Sequence, residues 1–137
     1  MTTKIPPELV DDQVFGRRNL IINGDMRIAQ RGTSATTLST TSEVFSADRF
    51  RMEQGSVTAN NGTIEVATDA PSGTGFTKSF KVTGGSSVSY NSTGFAAINY
   101  RGEGDDFNQV LHGTSSAKTV TISFWVKSSV TGTYSLN

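Results

Sequence analysis

The side chains that could catalyse a reaction are few and widely separated in this 137-residue chain. Neighbouring carboxylates occur at Asp11 and Asp12 and in the acidic loop 102–106. A glycoside hydrolase needs two carboxylates that face each other across a cleft. The loop is instead typical of a solvated turn in which Asp105 or Asp106 caps a short helix that follows, over 107–111. We therefore expect no catalytic carboxylate pair.

Metal and nucleophile chemistry has little support either. The chain has no cysteine and only one histidine, His112, which excludes disulfides, thiolate metal sites and sites built on two histidines. The loop 102–106 contains three carboxylates, which are too few for a calcium site because calcium takes roughly six to eight oxygen ligands. The glycine clusters lack the spacing of a phosphate-binding loop. We expect no enzymatic activity, no metal and no cofactor.

Arginine is unevenly distributed. Six of the seven arginines fall between residues 17 and 51, namely Arg17, Arg18, Arg27, Arg31, Arg49 and Arg51. The acidic residues Asp25, Glu43 and Asp48 lie in the same stretch, and Glu53 lies just after it. Arginine suits bidentate pairing with carboxylates, so these residues form ion pairs either within the domain or with another chain. The second interpretation is favoured for Arg17 and Arg18, which lie beside the N-terminal segment.

The segment Lys118–Lys127 has the clearest strand pattern. Trp125 and Lys127 fall on one face, and the opposite face carries Val120, Ile122, Phe124 and Val126. A tryptophan beside a lysine on a face lined by hydroxyl groups can stack on a sugar ring. It can equally pack beneath a neighbouring protomer or a covering loop. Trp125 and Lys127 are therefore candidate glycan contacts.

Composition excludes several classes of protein. The formal net charge is zero, which is not the basic excess of a general nucleic-acid binder. No apolar run is long enough to cross a bilayer, and the N-terminus lacks the apolar segment of a secretory signal. Hydrophobic residues make up only 34%, while there are 14 glycines, 17 serines and 19 threonines. Such a composition fits a protein that works outside a cell without entering a secretion pathway.

Residues 1–16 are expected to form an extended docking arm. The two prolines at 6 and 7 prevent a helix there, and large apolar side chains are scattered along the segment. The arm either becomes ordered on a partner or folds back on its own domain. The residues expected at a docking or oligomer interface are Ile5, Pro6, Pro7, Leu9, Val10, Phe15, Arg17 and Arg18.

Residues 17–137 show short strands separated by Gly, Asn and Ser/Thr turns, which predicts an all-β domain, a jelly-roll-like β-sandwich. The Asn-Gly pair at 23–24 predicts a tight turn between two short strands, and 60–62 predicts a hairpin turn. Because the sequence ends in or just after a strand, we expect the sandwich to be incomplete and to continue beyond residue 137.

Two segments carry a family resemblance. The sequence RNLIINGDMRIAQRGT at 18–33, followed by ADRF at 47–50, resembles the opening of many bacteriophage tail-fibre and related virion proteins. The sequence KTVTISFWVKSSVTGTY at 118–134 resembles a strand-turn-strand unit of the same proteins. The wider pattern is similar to that of jelly-roll carbohydrate-binding modules.

The resemblance implies a structural virion protein, the N-terminal part of a tail fibre that anchors the fibre to the tail and supports host attachment. Its partners would be further copies in a homotrimer, a tail adaptor or tail tube protein, and a host surface glycan, with no nucleic acid and no membrane insertion. The alternatives are a carbohydrate-binding module and a capsid decoration protein. In those modules carboxylates near the opening bind calcium; Asp25 matches, but Met26 and Arg27 stand where Phe-Glu is usual.

Overall fold

The computed structural model describes residues 19–40 and 43–137. The elements in this part of the chain are strands β1 (Thr36–Thr37), β2 (Glu43–Phe45), β3 (Phe50–Asn60), β4 (Thr63–Ala67), β5 (Ser79–Thr83) and β6 (Val88–Tyr100), and a 3-10 helix over Gly104–Val110. The strands pair antiparallel in a first sheet of order β1-β4-β5 and a second sheet of order β2-β3-β6. The all-β, sandwich-like fold expected from the sequence is confirmed.

The hydrophobic core lies between the two sheets. Alternate residues of a strand point to opposite faces, and in β4 Ile64 and Val66 are buried while their neighbours are half-buried. Ile64 packs in one cluster with Leu38 and with Met52 of the second sheet. Val66 packs in another cluster that includes Phe50. Each fully buried side chain of this size contributes about 1.5–3 kcal/mol of transfer free energy.

The segment 60–62 carries the chain from one sheet to the other, so the hairpin predicted there is wrong. β3 pairs with β2 and β6, whereas β4 pairs with β1 and β5. The chain returns from β5 to the second sheet through 84–87. The backbone N–H of Asn61 donates to the Ser87 carbonyl at 3.1 Å, and its side-chain Oδ1 accepts from the Ser87 N–H at 2.9 Å. Asn61 therefore holds the two crossovers side by side.

The turn predicted at 23–24 is present, but the strands predicted on either side of it are not. Asn23 has a φ of 59°, a left-handed conformation that asparagine adopts more readily than most residues. Its side-chain amide accepts from the Ile28 N–H and donates to the carbonyls of Ile28 and Asp48, each at 2.9 Å. Side-chain hydrogen bonds thus replace a strand ladder in holding this segment. The apolar residues that it packs against the core are Ile21, Met26 and Ala29.

Candidate functional site

The predicted docking arm, residues 1–16, lies outside the described residues, together with every residue expected at the tail-docking or oligomer interface. These residues are Ile5, Pro6, Pro7, Leu9, Val10, Phe15, Arg17 and Arg18. Their role stays a prediction. The two candidate glycan contacts are described: Trp125 is 70% exposed, and the side chain of Lys127 is exposed as well. Their contact with a sugar also stays a prediction.

The strand predicted over Lys118–Lys127 is wrong: no strand is present there, because the segment has no strand to pair with among the described residues. Its large apolar side chains, with those just after it, are between 50% and 74% exposed. We call the residues 120–136 the apolar segment; its exposed apolar side chains are Val120, Ile122, Phe124, Trp125, Val126, Val130, Tyr134 and Leu136. Large exposed apolar side chains in such number are typical of an interaction site.

A second apolar surface lies on β6, which forms one edge of the second sheet. Ile98 stands directly opposite Met52 of β3 in the antiparallel register. Directly opposed residues share one face of a sheet, and Met52 belongs to the core. Ile98 is nevertheless 53% exposed. In the described part of the chain, the core face of the second sheet is therefore covered at Met52 and exposed at Ile98, whereas Tyr100, further along β6, packs against the core beside Phe50.

The apolar segment is tied to the first sheet by one ion pair. The Lys127 ammonium lies 2.8 Å from the Asp69 carboxylate, in the loop that follows β4. The hydrogen bond from Lys127, and then its charge, lower the pKa of Asp69 below its ordinary value. Because both side chains are largely exposed, the pair contributes little to stability.

The acidic loop 102–106 overlaps the beginning of the 3-10 helix Gly104–Val110. The helix therefore starts three residues before the short helix predicted over 107–111. Glu103, rather than Asp105 or Asp106, is the N-cap residue. The Asp106 carboxylate accepts a hydrogen bond from the Glu103 N–H at 3.3 Å, and Asp105 accepts one from the side chain of Asn108. These carboxylates therefore hold the helix start, in agreement with their interpretation as a turn.

A cleft of about 350 Å³ opens on the outer face of the second sheet. Arg51 alternates along β3 with Phe50 and Met52, whose side chains enter the core, and so faces away from the first sheet. Four of the seven arginines line the cleft together with an aromatic ring, a glycine and one carboxylate. The lining residues are Arg31, Phe45, Arg49, Arg51, Arg101, Gly102 and Glu103.

Two of the cleft arginines are neutralised by carboxylates. The side chain of Arg51, only 3% exposed, forms ion pairs with Glu43 of β2 and with Glu53, the latter at 2.7 Å. Arg49 pairs with Glu103 at 2.8 Å. A buried arginine needs such partners, because an unpaired charge is costly to remove from water. Within the described residues these arginines pair inside the domain, which is one of the two interpretations drawn from the sequence.

The other two cleft arginines, Arg31 and Arg101, have no ion-pair partner among the described residues. The guanidinium carbon of Arg31 lies 4.7 Å from the centre of the Phe45 ring, in cation–π contact. The sequence singled out Arg31 but not Arg101 or Phe45. Arg101 follows β6, and only the pairing of β6 with β3 brings it to the cleft.

The described residues contain no group of three His, Asp or Glu side chains that could hold a metal ion. Within the same part of the chain, no helix has the length and the apolar character needed to cross a bilayer. No protein-family model, curated protein or solved structure matches this chain.

Proposed function

We propose that this chain is a structural module of a bacteriophage tail fibre or fibre-like virion protein. It anchors the fibre to the tail, through a tail adaptor or tail tube protein, and supports binding to the host receptor. The family assignment rests on the two sequence resemblances, the first at 18–33 and 47–50 and the second at 118–134. The observation that carries the structural role is the exposure of large apolar side chains at two places, Ile98 on β6 and the apolar segment. A protein that acts as part of an assembly buries such a surface against other chains.

The assembly that we propose is a homotrimer in which copies complete one another. The edge of β6 offers unpaired backbone groups, and an edge strand of this kind is a template for a strand from another chain. The segment Lys118–Lys127 has a strand pattern and no partner in its own described chain. Addition of this segment to β6 of a second copy would bring Ile122 and Phe124 close to Ile98 and cover all three.

The location of the chain on a virus particle tests this function directly. The full chain, carrying a short peptide tag, would be incorporated into particles and localised by reconstruction with a bound antibody fragment. We expect density at the tail or the base of its fibres, in several copies related by symmetry. Density on the capsid shell would identify a decoration protein instead and overturn the proposal.

A carbohydrate-binding module is the second candidate, and the exposure of Trp125 favours it. A tryptophan that is 70% exposed offers a free aromatic face for stacking on a sugar. In this case Trp125→Ala abolishes binding to a glycan array, whereas Tyr134→Ala, which removes another exposed aromatic ring of the apolar segment, leaves it intact. The absence of binding by the wild-type chain across the array would exclude this candidate.

A further inference from the structure

The arginine cleft on the outer face of the second sheet carries a local excess of positive charge. Its lining contains four arginines and one carboxylate. Glu43 and Glu53, which pair with Arg51, bring the number of carboxylates at the cleft to three. The four arginines therefore exceed the carboxylates by one positive charge. The whole chain has a net charge of zero, so this excess is a local feature of the cleft.

We propose that this cleft binds a compact oxyanion, a phosphate or carboxylate group carried by a small ligand, between Arg31 and Arg101. The site is independent of the structural role proposed above. A guanidinium presents a planar fork of N–H donors that matches the two oxygens of a carboxylate or phosphate. The cleft volume of about 350 Å³ lies in the range of small-molecule sites.

The cleft is built so that its donors are held in place before a ligand arrives. The Phe45 ring supports the Arg31 guanidinium from one side. Glu103 restrains Arg49, and two carboxylates restrain Arg51. Preorganised side chains lose less conformational entropy on binding than free ones.

Nuclear magnetic resonance titration of the full 137-residue chain tests the proposal, with inorganic phosphate and with glucuronate as separate probes. The variants are Arg31→Gln and Arg101→Gln, both at exposed positions. The control is Arg27→Gln, which removes an exposed arginine that pairs with Asp25 elsewhere. We expect saturable shifts at Gly102 and at the cleft arginines. Binding should weaken about 10-fold in each cleft variant, because each substitution removes a charge-assisted hydrogen bond to the oxyanion.

The choice of probe identifies the source of the oxyanion. Saturation by phosphate alone assigns a phosphorylated ligand, and saturation by glucuronate alone assigns an acidic sugar. Binding of both supports the shared chemistry. If neither probe produces saturable shifts in the wild-type chain, or if Arg27→Gln weakens binding as much as the cleft variants do, the proposal is overturned.

Discussion

Met52 and Ile98 lie directly opposite each other on the same face of the second sheet, yet Met52 is 6% exposed and Ile98 is 53% exposed. The core covers Met52 and reaches Tyr100 at the end of β6, but it leaves Ile98 exposed. The sandwich therefore has an apolar opening at one edge. This opening is the basis for proposing that the protein acts as part of an assembly.

Core and surface apolar residues should respond differently to truncation. Ile64→Ala removes a fully buried side chain and should lower the free energy of unfolding by about 2–5 kcal/mol. Ile122→Ala should change the stability of an isolated chain by less than about 0.5 kcal/mol, because this side chain is 61% exposed. Urea denaturation at low protein concentration measures both. Equal losses would mean that Ile122 is buried within its own chain.

The side chain of Asn23 should be important for stability although it lies in a turn. Asn23→Asp keeps the tolerance of a left-handed backbone but removes the donor that reaches the Asp48 carbonyl. We expect a loss of about 1–3 kcal/mol in the free energy of unfolding. Asn91→Asp, at an exposed position of β6, serves as the control and should have little effect. Similar losses in the two variants would contradict the bridging role of Asn23.

The first crossover requires a glycine at position 62. A Cβ there would stand 2.6 Å from the backbone carbonyl oxygen of Thr83, which cannot move aside cheaply. We expect Gly62→Ala to cost about 1–3 kcal/mol, as overpacking does in a core. Gly84→Ala is the matched control, because a Cβ at that position of the second crossover meets nothing within 4 Å. Thermal unfolding of the two variants should differ clearly; coinciding curves would show that the crossovers are not in close contact.

The Asp69–Lys127 pair predicts a specific pH dependence. The pKa of Asp69 is lowered in the folded chain by the hydrogen bond from Lys127. The small stability that the pair contributes is thus present above the unfolded-state pKa of an aspartate, about 3.9, and is lost as the pH falls through the lower folded-state value. In Lys127→Gln the pKa of Asp69, measured by carboxyl-carbon resonance, should rise towards its ordinary value. Lys118→Gln should leave it unchanged, and an identical pKa in all three chains would show that the segment does not lie against Asp69.

The elements predicted most reliably from the sequence are those determined by local spacing. The Asn-Gly pair predicts the turn at 23–24, and the short strands expected between Gly, Asn and Ser/Thr turns are present in the two sheets. The turn residues at 60–62 do end one strand and precede the next. They do not indicate which sheet the next strand joins. That choice depends on distant pairing, such as the contact between Asn61 and Ser87.

The candidate sites show the same limit. Alternation predicts a strand over Lys118–Lys127, but a strand also needs a partner, and periodicity says nothing about where that partner is. In the arginine cleft, Arg49 and Arg101 become neighbours only because β3 and β6 pair, with the Arg101 N–H donating to the Arg49 carbonyl at 3.2 Å. Local sequence contains no signal for that encounter. The predicted docking residues around Pro6 and Arg17 lie outside the described residues and stay predictions.

The most direct measurement of the central proposal is sedimentation velocity of the full chain beside two variants. Ile98→Asp places a charge in the open face of β6, and Ser123→Asp places the same charge on the polar face of the segment Lys118–Lys127. We predict that the wild-type chain and Ser123→Asp sediment as trimers, whereas Ile98→Asp sediments as a monomer. A wild-type chain that sediments as a single monomeric species, and melts cooperatively as such, would contradict the proposal that this protein acts as part of an assembly.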